Sequence, residues 1–451
     1  MREEGLEACF GYWRRRIFFV LWVTYASFYL CRVNMAVALP GIMEAFGYSK
    51  TDVGAIGSAF FIAYGIGQFF NGQLGDKWGA RRMIPVGIFA SVVLNVLFGF
   101  SSALTAMWVI WGINGIFQSM GWSPSVKTLA NWFPTAQRGR ISGLYGSSFQ
   151  IGSVVSWLLA GYLAARWGWR SVFWVPAVGF VLSGIHVVVR VRNAPEDMGL
   201  PPIEEYEQYG GFAPHNDSPE RRARVREEGD RHAGFAFTLR RTVGHPKAWC
   251  AGLAYLCLSV AAYGFLFWTP TYLAEAPGVS IFQAASKAIV LPLAGSVAAF
   301  VAGWATDRFF GSRRAPVIVG MMVVGGALLW FYPAIPVSRS IANLGVLGMI
   351  GGALFAAQVL LVTGVAMDLG TRKAAASVTG FIDALGYVGA TLTGVGTGWV
   401  IEHYDWTMSF HWWAGSVWVG AGLMSLLWRY RPSAQSIGQS GETRNICPRV
   451  P

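Results

Sequence analysis

Gly72-Gln-Leu-Gly-Asp76-Lys-Trp-Gly79-Ala-Arg81-Arg82 is followed, 231 residues later, by Gly303-Trp-Ala-Thr-Asp307-Arg308-Phe-Phe-Gly311-Ser-Arg313-Arg314. Both stretches set a glycine, an aspartate four residues on, a second glycine and a basic pair between two long apolar runs. The first glycine lets neighbouring helices approach closely. The aspartate can cap a helix N-terminus and attract arginine, and the second glycine permits a tight turn. The basic pair suits the side of a membrane that collects positive charge. A second pair strengthens the repeat: Gly143 to Gly152 and Gly380 to Gly389 share a nine-residue spacing, 237 residues apart, each shortly after a basic loop. A chain that repeats itself in this way is built from two related halves.

Composition agrees with a membrane setting. Of 451 residues, 54% are hydrophobic and 13% charged, against about 25% charged in soluble domains. Twelve apolar stretches are long enough for the ~20 residues that a spanning helix needs. They cover about 17–39, 53–74, 83–102, 105–126, 141–164, 170–190, 248–273, 281–305, 315–333, 341–367, 374–400 and 408–428. A transmembrane barrel would show ~10-residue alternating segments instead. The first run is of full length, with no small-residue cleavage pattern after it, so the first helix is expected to stay in the membrane.

An even number of crossings puts both termini on one side. That side carries 28 Lys and Arg, against 5 on the other, so both termini are expected in the cytoplasm. The net charge of +12 then reflects topology, and no nucleic-acid partner is expected. The polar stretch 191–247, with its Arg221, Arg222, Arg224 and Arg226, divides the spans six and six. The expected organisation is an N-terminal bundle over 1–190, a partly disordered cytoplasmic linker over 191–247, a C-terminal bundle over 248–428 and a cytoplasmic tail over 429–451. Cys9, Cys31, Cys250, Cys257 and Cys447 have neither metal-ligand spacing nor evident pairing. No H-E-x-x-H, phosphate loop or G-x-S-x-G is present, so neither enzyme, metal nor cofactor is expected.

One cation lies inside a span. Arg32 falls in Tyr25-Ala-Ser-Phe-Tyr29-Leu-Cys-Arg32-Val-Asn34, where a central arginine costs about 2.5–3.5 kcal/mol on insertion scales. It must face a polar cavity or a partner. Tyr25, Tyr29 and Arg32 share one helical face. Tyr64, Gln68 and Asn71 in the second span, and Asn114 and Gln118 in the fourth, form further polar stripes. Together they predict a wet cavity of phenol and amide groups around one guanidinium, whose planar fork suits carboxylate or phosphate. Lys127 is a further candidate, either snorkelling from the fourth span or adding a donor. Asp383, with Tyr387 one turn on, is a carboxylate well inside the eleventh span: a coupling candidate or a packing group. Helical rise sets Arg32 and Asp383 at unmatched depths, which argues against a direct bridge. His186 has no evident role.

The paired Gly-Asp-Gly-Arg loops, set in two six-span halves, resemble those of the major facilitator superfamily. The resemblance implies an all-α membrane protein of twelve transmembrane helices, in two six-helix bundles related by a pseudo-two-fold axis along the membrane normal. It implies a substrate site between the bundles near mid-membrane, alternating access, and a gating role for the loop residues Gly72, Asp76, Gly79, Arg81, Asp307, Arg308 and Arg313. Four stretches are similar to the organophosphate:phosphate antiporters: Tyr25 to Pro40, Phe117-Gln-Ser-Met-Gly-Trp122-Ser-Pro124, Gly199-Leu-Pro-Pro-Ile-Glu-Glu-Tyr206, and Trp268-Thr-Pro270-Thr-Tyr272-Leu. That narrower resemblance implies phosphate on Arg32, flanked by Tyr25, Tyr29 and Tyr64. The chain departs from the glycerol-phosphate carriers at Ala262, Phe149 and Gln68, where those carry arginine, histidine and lysine.

The resulting expectation is a monomeric secondary transporter of a small organic anion in a prokaryotic inner membrane, with exchange for inorganic phosphate as the family's mode. Proton-coupled symport of a carboxylate, with Asp383 as coupling group, is the alternative. A membrane sensor of the same ligands is a third reading.

Overall fold

The computed structural model describes residues 3–201, 203, 244, 246–310, 313–337, 340–365 and 375–430. The basic run at 221–226, the pair Arg372 and Lys373 and the tail beyond 430 lie outside them. Among the described residues the chain is helical throughout. The N-terminal half comprises α1 (Glu3–Phe28), α2 (Asn34–Phe46), α3 (Lys50–Trp78), α4 (Ala80–Phe100), α5 (Leu104–Gln118), α6 (Trp122–Trp132), α7 (Thr135–Trp167) and α8 (Ser171–Arg190). The C-terminal half comprises α9 (Pro246–Ala274), α10 (Ile281–Ala288), α11 (Val290–Phe309), α12 (Arg314–Phe331), α13 (Ser340–Val359), α14 (Ala375–His403) and α15 (Trp406–Ser425).

Every expected span has its helix or helix pair, and nine stretches among the described residues are long and apolar enough to cross a bilayer by length and hydropathy alone. The other three expected spans are α3, α5 with α6, and α15. Trp406, His411, Trp412 and Trp413 lower the mean hydropathy of α15 without making it polar. The fourth span breaks between Gln118 and Trp122, which leaves α5 with 15 residues.

That break and a second one correct the expectation of continuous helices. α1 ends at Phe28, a 3-10 turn covers Tyr29–Cys31, and α2 restarts at Asn34. No proline lies at the first interruption, whereas Pro124 in the first turn of α6 follows the second and leaves the Met120 carbonyl without a helical N–H donor. At the first, side chains enter the helical ladder: the Cys31 carbonyl accepts from Asn95 Nδ2 at 3.4 Å, Asn114 Nδ2 at 3.3 Å and Gln118 Nε2 at 3.3 Å. Trp157 Nε1 donates to the Val33 carbonyl at 3.2 Å. Backbone freed at lipid depth must find such partners, and inserted side chains are a recognised cause of helix breaks.

The repeat seen in the sequence has a packing counterpart. A Cβ on Gly152 would strike the Ala26 carbonyl oxygen, and one on Gly389 the Leu256 carbonyl oxygen. Equivalent glycines thus let α7 press on α1, and α14 on α9. The loop motif departs from one expectation. Asp76 lies in the last turn of α3, whereas the N-cap of α4 is Gly79 at φ +71°. The side chains of Asp76 and Asp307 are outside those described. The first part of the 191–247 segment is ordered. Pro195–Met198 form a 3-10 turn, and Leu200 and Ile203 are buried against α1, α4, α6 and α8. Asn193 Oδ1 accepts the Arg81 backbone N–H at 2.9 Å, and Arg81 Nε donates to the Val188 carbonyl at 3.2 Å. Arg308 is exposed, and Arg313 Nε donates to Phe310 O at 3.2 Å.

The halves meet toward the end of the molecule that carries Lys50. There α3 packs on α14, α2 on α9 and α7 on α10. Gly54, Gly57 and Ser58 of α3 face Gly394 and Thr391 of α14 and Phe267 of α9. A Cβ on Gly54 would strike the Gly394 carbonyl, and one on Gly394 the Gly54 carbonyl. Ser58 Oγ donates to Thr391 O at 2.6 Å and accepts from Val395 N at 2.9 Å. Lys50 Nζ lies 2.8 Å from Glu275 Oε1, Trp406 Nε1 donates to Glu275 Oε2 at 2.7 Å, and Glu402 accepts from the Thr51 N–H at 2.9 Å and from its hydroxyl.

Because the Gly54–Gly394 contact is backbone on backbone, a methyl group there must push the helices apart. Gly54→Ala or Gly394→Ala should lower the thermal unfolding midpoint, at a cost of about 1–3 kcal/mol. Gly422→Ala, whose Cβ meets nothing within 4 Å, should leave the midpoint unchanged. Equal midpoints for all three would contradict the contact.

Candidate functional site

The break between α1 and α2 presents Arg32 sideways. Freed from a regular helix, its guanidinium lies between elements rather than along one face. Nε donates to Gln118 Oε1 at 3.1 Å and Nη2 to the Gln118 carbonyl at 3.2 Å. That carbonyl is available because α5 ends at Gln118. The two helix breaks therefore meet: one frees the arginine, and the other supplies its acceptor.

Three tyrosine rings surround the cation. The guanidinium carbon sits 4.7 Å from the Tyr29 ring centre, 4.8 Å from Tyr64 and 5.9 Å from Tyr25. Cation–π contacts are worth up to ~2 kcal/mol when desolvated, which offsets part of the insertion cost without neutralising the charge. Arg32 makes no ion pair with any carboxylate among the described residues. A guanidinium has five N–H donors. Gln118 takes two, and the Tyr25 and Tyr29 hydroxyls lie within hydrogen-bonding reach of the guanidinium as well.

A cavity of about 70 Å³ opens beside it, several times what one water requires. Tyr29, Arg32, Phe60, Phe61, Tyr64 and Trp111 line it from one half, and Tyr263, Leu266, Phe267 and Tyr387 from the other. The two halves touch through the Tyr64–Tyr387 and Phe61–Tyr263 ring pairs, at 4.9 and 5.3 Å between centroids. Arg32 is the charged side chain on this wall among the described residues.

Of the residues singled out from the sequence, Tyr29, Arg32 and Tyr64 are on the cavity wall. Tyr25 lies behind them, packed on Trp122 and Tyr145. Gln68 Nε2 donates to the Tyr64 hydroxyl at 3.3 Å. Asn114 and Gln118 are fully buried, bonded to the Cys31 carbonyl and to Ser91. Asn71 bonds Ser119 and the Ile116 carbonyl. Lys127 is half-buried on α6, off the cavity wall. Asp383 is half-buried one turn from Tyr387, with no hydrogen bond or ion pair among the described residues. At the positions of departure, Phe149 packs on Tyr29 with centroids 6.1 Å apart, and Ala262 is buried.

Sequence reasoning missed Phe61, Tyr263 and Phe267 as cavity residues. The signal was the repeat itself. The seventh span corresponds to the first, and its aromatic pair Tyr263 and Phe267, spaced i, i+4, reaches the wall from the second half.

Comparison with known proteins places this arrangement. Over 447 residues the chain is 30% identical to a glycerol-3-phosphate transporter of Bacillus subtilis, covering 96% of this chain and 97% of the relative. It is 28% identical to the membrane sensor protein UhpC of Salmonella typhimurium, over 94% and 93% of the two chains. The fold matches an inward-facing structure of a bacterial homologue of the human lysosomal transporter Spinster. The TM-score is 0.68 at 14% identity, over 92% of this chain and 95% of that one. The sequence model of the Major Facilitator Superfamily matches residues 18–394. With its helical halves meeting beside Arg32, this integral membrane protein belongs to the Major Facilitator Superfamily.

Proposed function

We propose that the protein is a secondary transporter of a small organophosphate, exchanged for inorganic phosphate by alternating access, with Arg32 as the anion clamp. One observation carries the reading: a guanidinium at membrane depth, paired with no carboxylate among the described residues, that borders a cavity between the halves. A buried cation left in that state is costly, and a phosphate that accepts its N–H groups removes the cost. In this reading Tyr29 and Tyr64 flank the phosphate. Gln118 and Tyr25 hold the guanidinium in place, and Gln68 orients Tyr64. The halves 1–190 and 248–428 rock about the cavity, joined by 191–247, and the Gly79 and Arg81 turn supports the rocking. The likeness to a glycerol-3-phosphate transporter supports the substrate class. Closure at the Lys50 end leaves the opposite end as the way in, and the positive-inside distribution makes that end cytoplasmic in a bacterial inner membrane. The same likeness to a membrane sensor favours a second reading, in which ligand binding at Arg32 is signalled rather than coupled to flux.

Proteoliposomes separate these readings. Wild-type protein should take up labelled glycerol 3-phosphate only when loaded with internal phosphate, and Arg32→Lys should abolish uptake while keeping its unfolding midpoint. Uptake driven by an imposed proton gradient without internal phosphate would replace exchange by symport. Absence of counterflow with retained binding would favour the sensor, and normal uptake by Arg32→Lys would remove the clamp.

Tyr64 offers a finer test. Tyr64→Phe keeps the aromatic face and should hold phosphate affinity within about threefold, whereas Tyr64→Leu loses a desolvated cation–π contact and should weaken it by about tenfold. Equal affinities for the two variants, read by calorimetry, would contradict a role for the ring.

A further inference from the structure

Asp383 is left over once Arg32 has its ligand. It sits on α14 one turn, ~6 Å, from the cavity-lining Tyr387, on the same helical face. α14 runs from Ala375 to Glu402 and His403 at the closed Lys50 end, so Asp383 lies on the open side of Tyr387. Tyrosines approach it from α3 and α9, which pack on α14, and from α14 itself. They are Tyr64 of α3, Tyr255 and Tyr263 of α9, and Tyr387 of its own helix, all within electrostatic reach. The Tyr255 hydroxyl is already engaged by Gln358 Nε2 at 2.9 Å. No described cation pairs with the carboxylate.

One positive group therefore borders the cavity and one negative group lies a helical turn beyond its wall, neither with a counter-ion among the described residues. Direct pairing of the two would have neutralised both, and it does not occur among the described residues. A simple phosphate monoester satisfies Arg32 but brings a second negative charge toward Asp383, in surroundings where like charges repel strongly. A ligand that is itself dipolar satisfies both ends. The tyrosine faces at Tyr64, Tyr263 and Tyr387, with ring centroids 4.9 and 6.0 Å apart, are the surface that attracts an ammonium, and the carboxylate behind them completes an ammonium site.

We propose that the transported organophosphate is zwitterionic, with its phosphate on Arg32 and a primary or quaternary ammonium at the Tyr64–Tyr263–Tyr387 cluster backed by Asp383. This rests on the anion-clamp reading and adds the substrate's second charge. The Tyr387 hydroxyl and ring select the ammonium end, while Arg32 and Gln118 hold the other.

The test is binding by purified full-length protein, in the wild type and in Asp383→Asn, to inorganic phosphate, glycerol 3-phosphate, phosphoethanolamine and phosphocholine. In the wild type at least one of the two zwitterions should bind about tenfold more tightly than glycerol 3-phosphate. In Asp383→Asn that preference should vanish, with inorganic phosphate binding unchanged or tighter. Equal affinities for zwitterion and monoester in the wild type would overturn the proposal, and so would a preference that survives in Asp383→Asn. Uptake that follows an imposed pH gradient in the wild type and ignores it in Asp383→Asn would also overturn it, making Asp383 a proton carrier. Arg32→Lys separates the two layers. If that variant still binds inorganic phosphate normally, the clamp fails; if it loses phosphate while the zwitterion preference is absent in the wild type, only the ammonium site fails.

Discussion

A guanidinium held at membrane depth by Gln118 and three tyrosines, with no carboxylate paired to it among the described residues, governs the rest of this structure. Arg32 can occupy that place only because the first span is broken beside it. The break in turn requires partners for the carbonyls it frees. Asn95, Asn114, Gln118 and Trp157 supply them. Ser91 links Asn114 and Gln118 to each other, so the support is a connected polar network in which each member satisfies another. Such networks are favourable when complete and costly when partial, and the completeness here explains how several buried amides persist among apolar helices.

The close approach of the helices follows the same logic of small contacts with large consequences. Glycine sets the distance between α1 and α7 and between α9 and α14 within each half, and between α3 and α14 across them. At the Lys50 end the cross-half contacts are a single ion pair, a few hydrogen bonds and close backbone packing. Exposed ion pairs contribute little, about 0–1 kcal/mol, so this closure is held mainly by packing that can be exchanged for equivalent packing at the other end. An interface of that kind suits a molecule that alternates between two arrangements.

Much of this was legible in the sequence. Twelve apolar runs gave the helices, because burial in lipid demands length and hydropathy that leave a plain trace. The Ser101–Ala103 division between the third and fourth spans was readable for the same reason, and Arg32 stood out because a charge within an apolar run is rare. Pro124 just after the second helix break was a readable mark, whereas the first break was not legible, since it contains no proline and depends on side chains from other helices. That is also why Asn114 and Gln118 looked like cavity walls. Periodicity tells which face of a helix is polar, but not whether a solvent-filled space or a stranded carbonyl lies opposite. Tyr263 and Phe267 were hidden among many aromatics, because apolar rings on a spanning helix leave the same trace whether they face lipid, a neighbour or a cavity. The ordered stretch from Pro195 to Ile203 was masked by the polar composition of the segment that follows it.

The account stands on an anion completing the coordination of Arg32. The most direct measurement is the anomalous signal of arsenate, a heavy analogue of phosphate, in crystals of the protein. The expected result is a peak within hydrogen-bonding distance of the Arg32 guanidinium, flanked by Tyr29 and Tyr64. A peak elsewhere, or a protein carboxylate found closed onto Arg32 with the cavity shut, would contradict it.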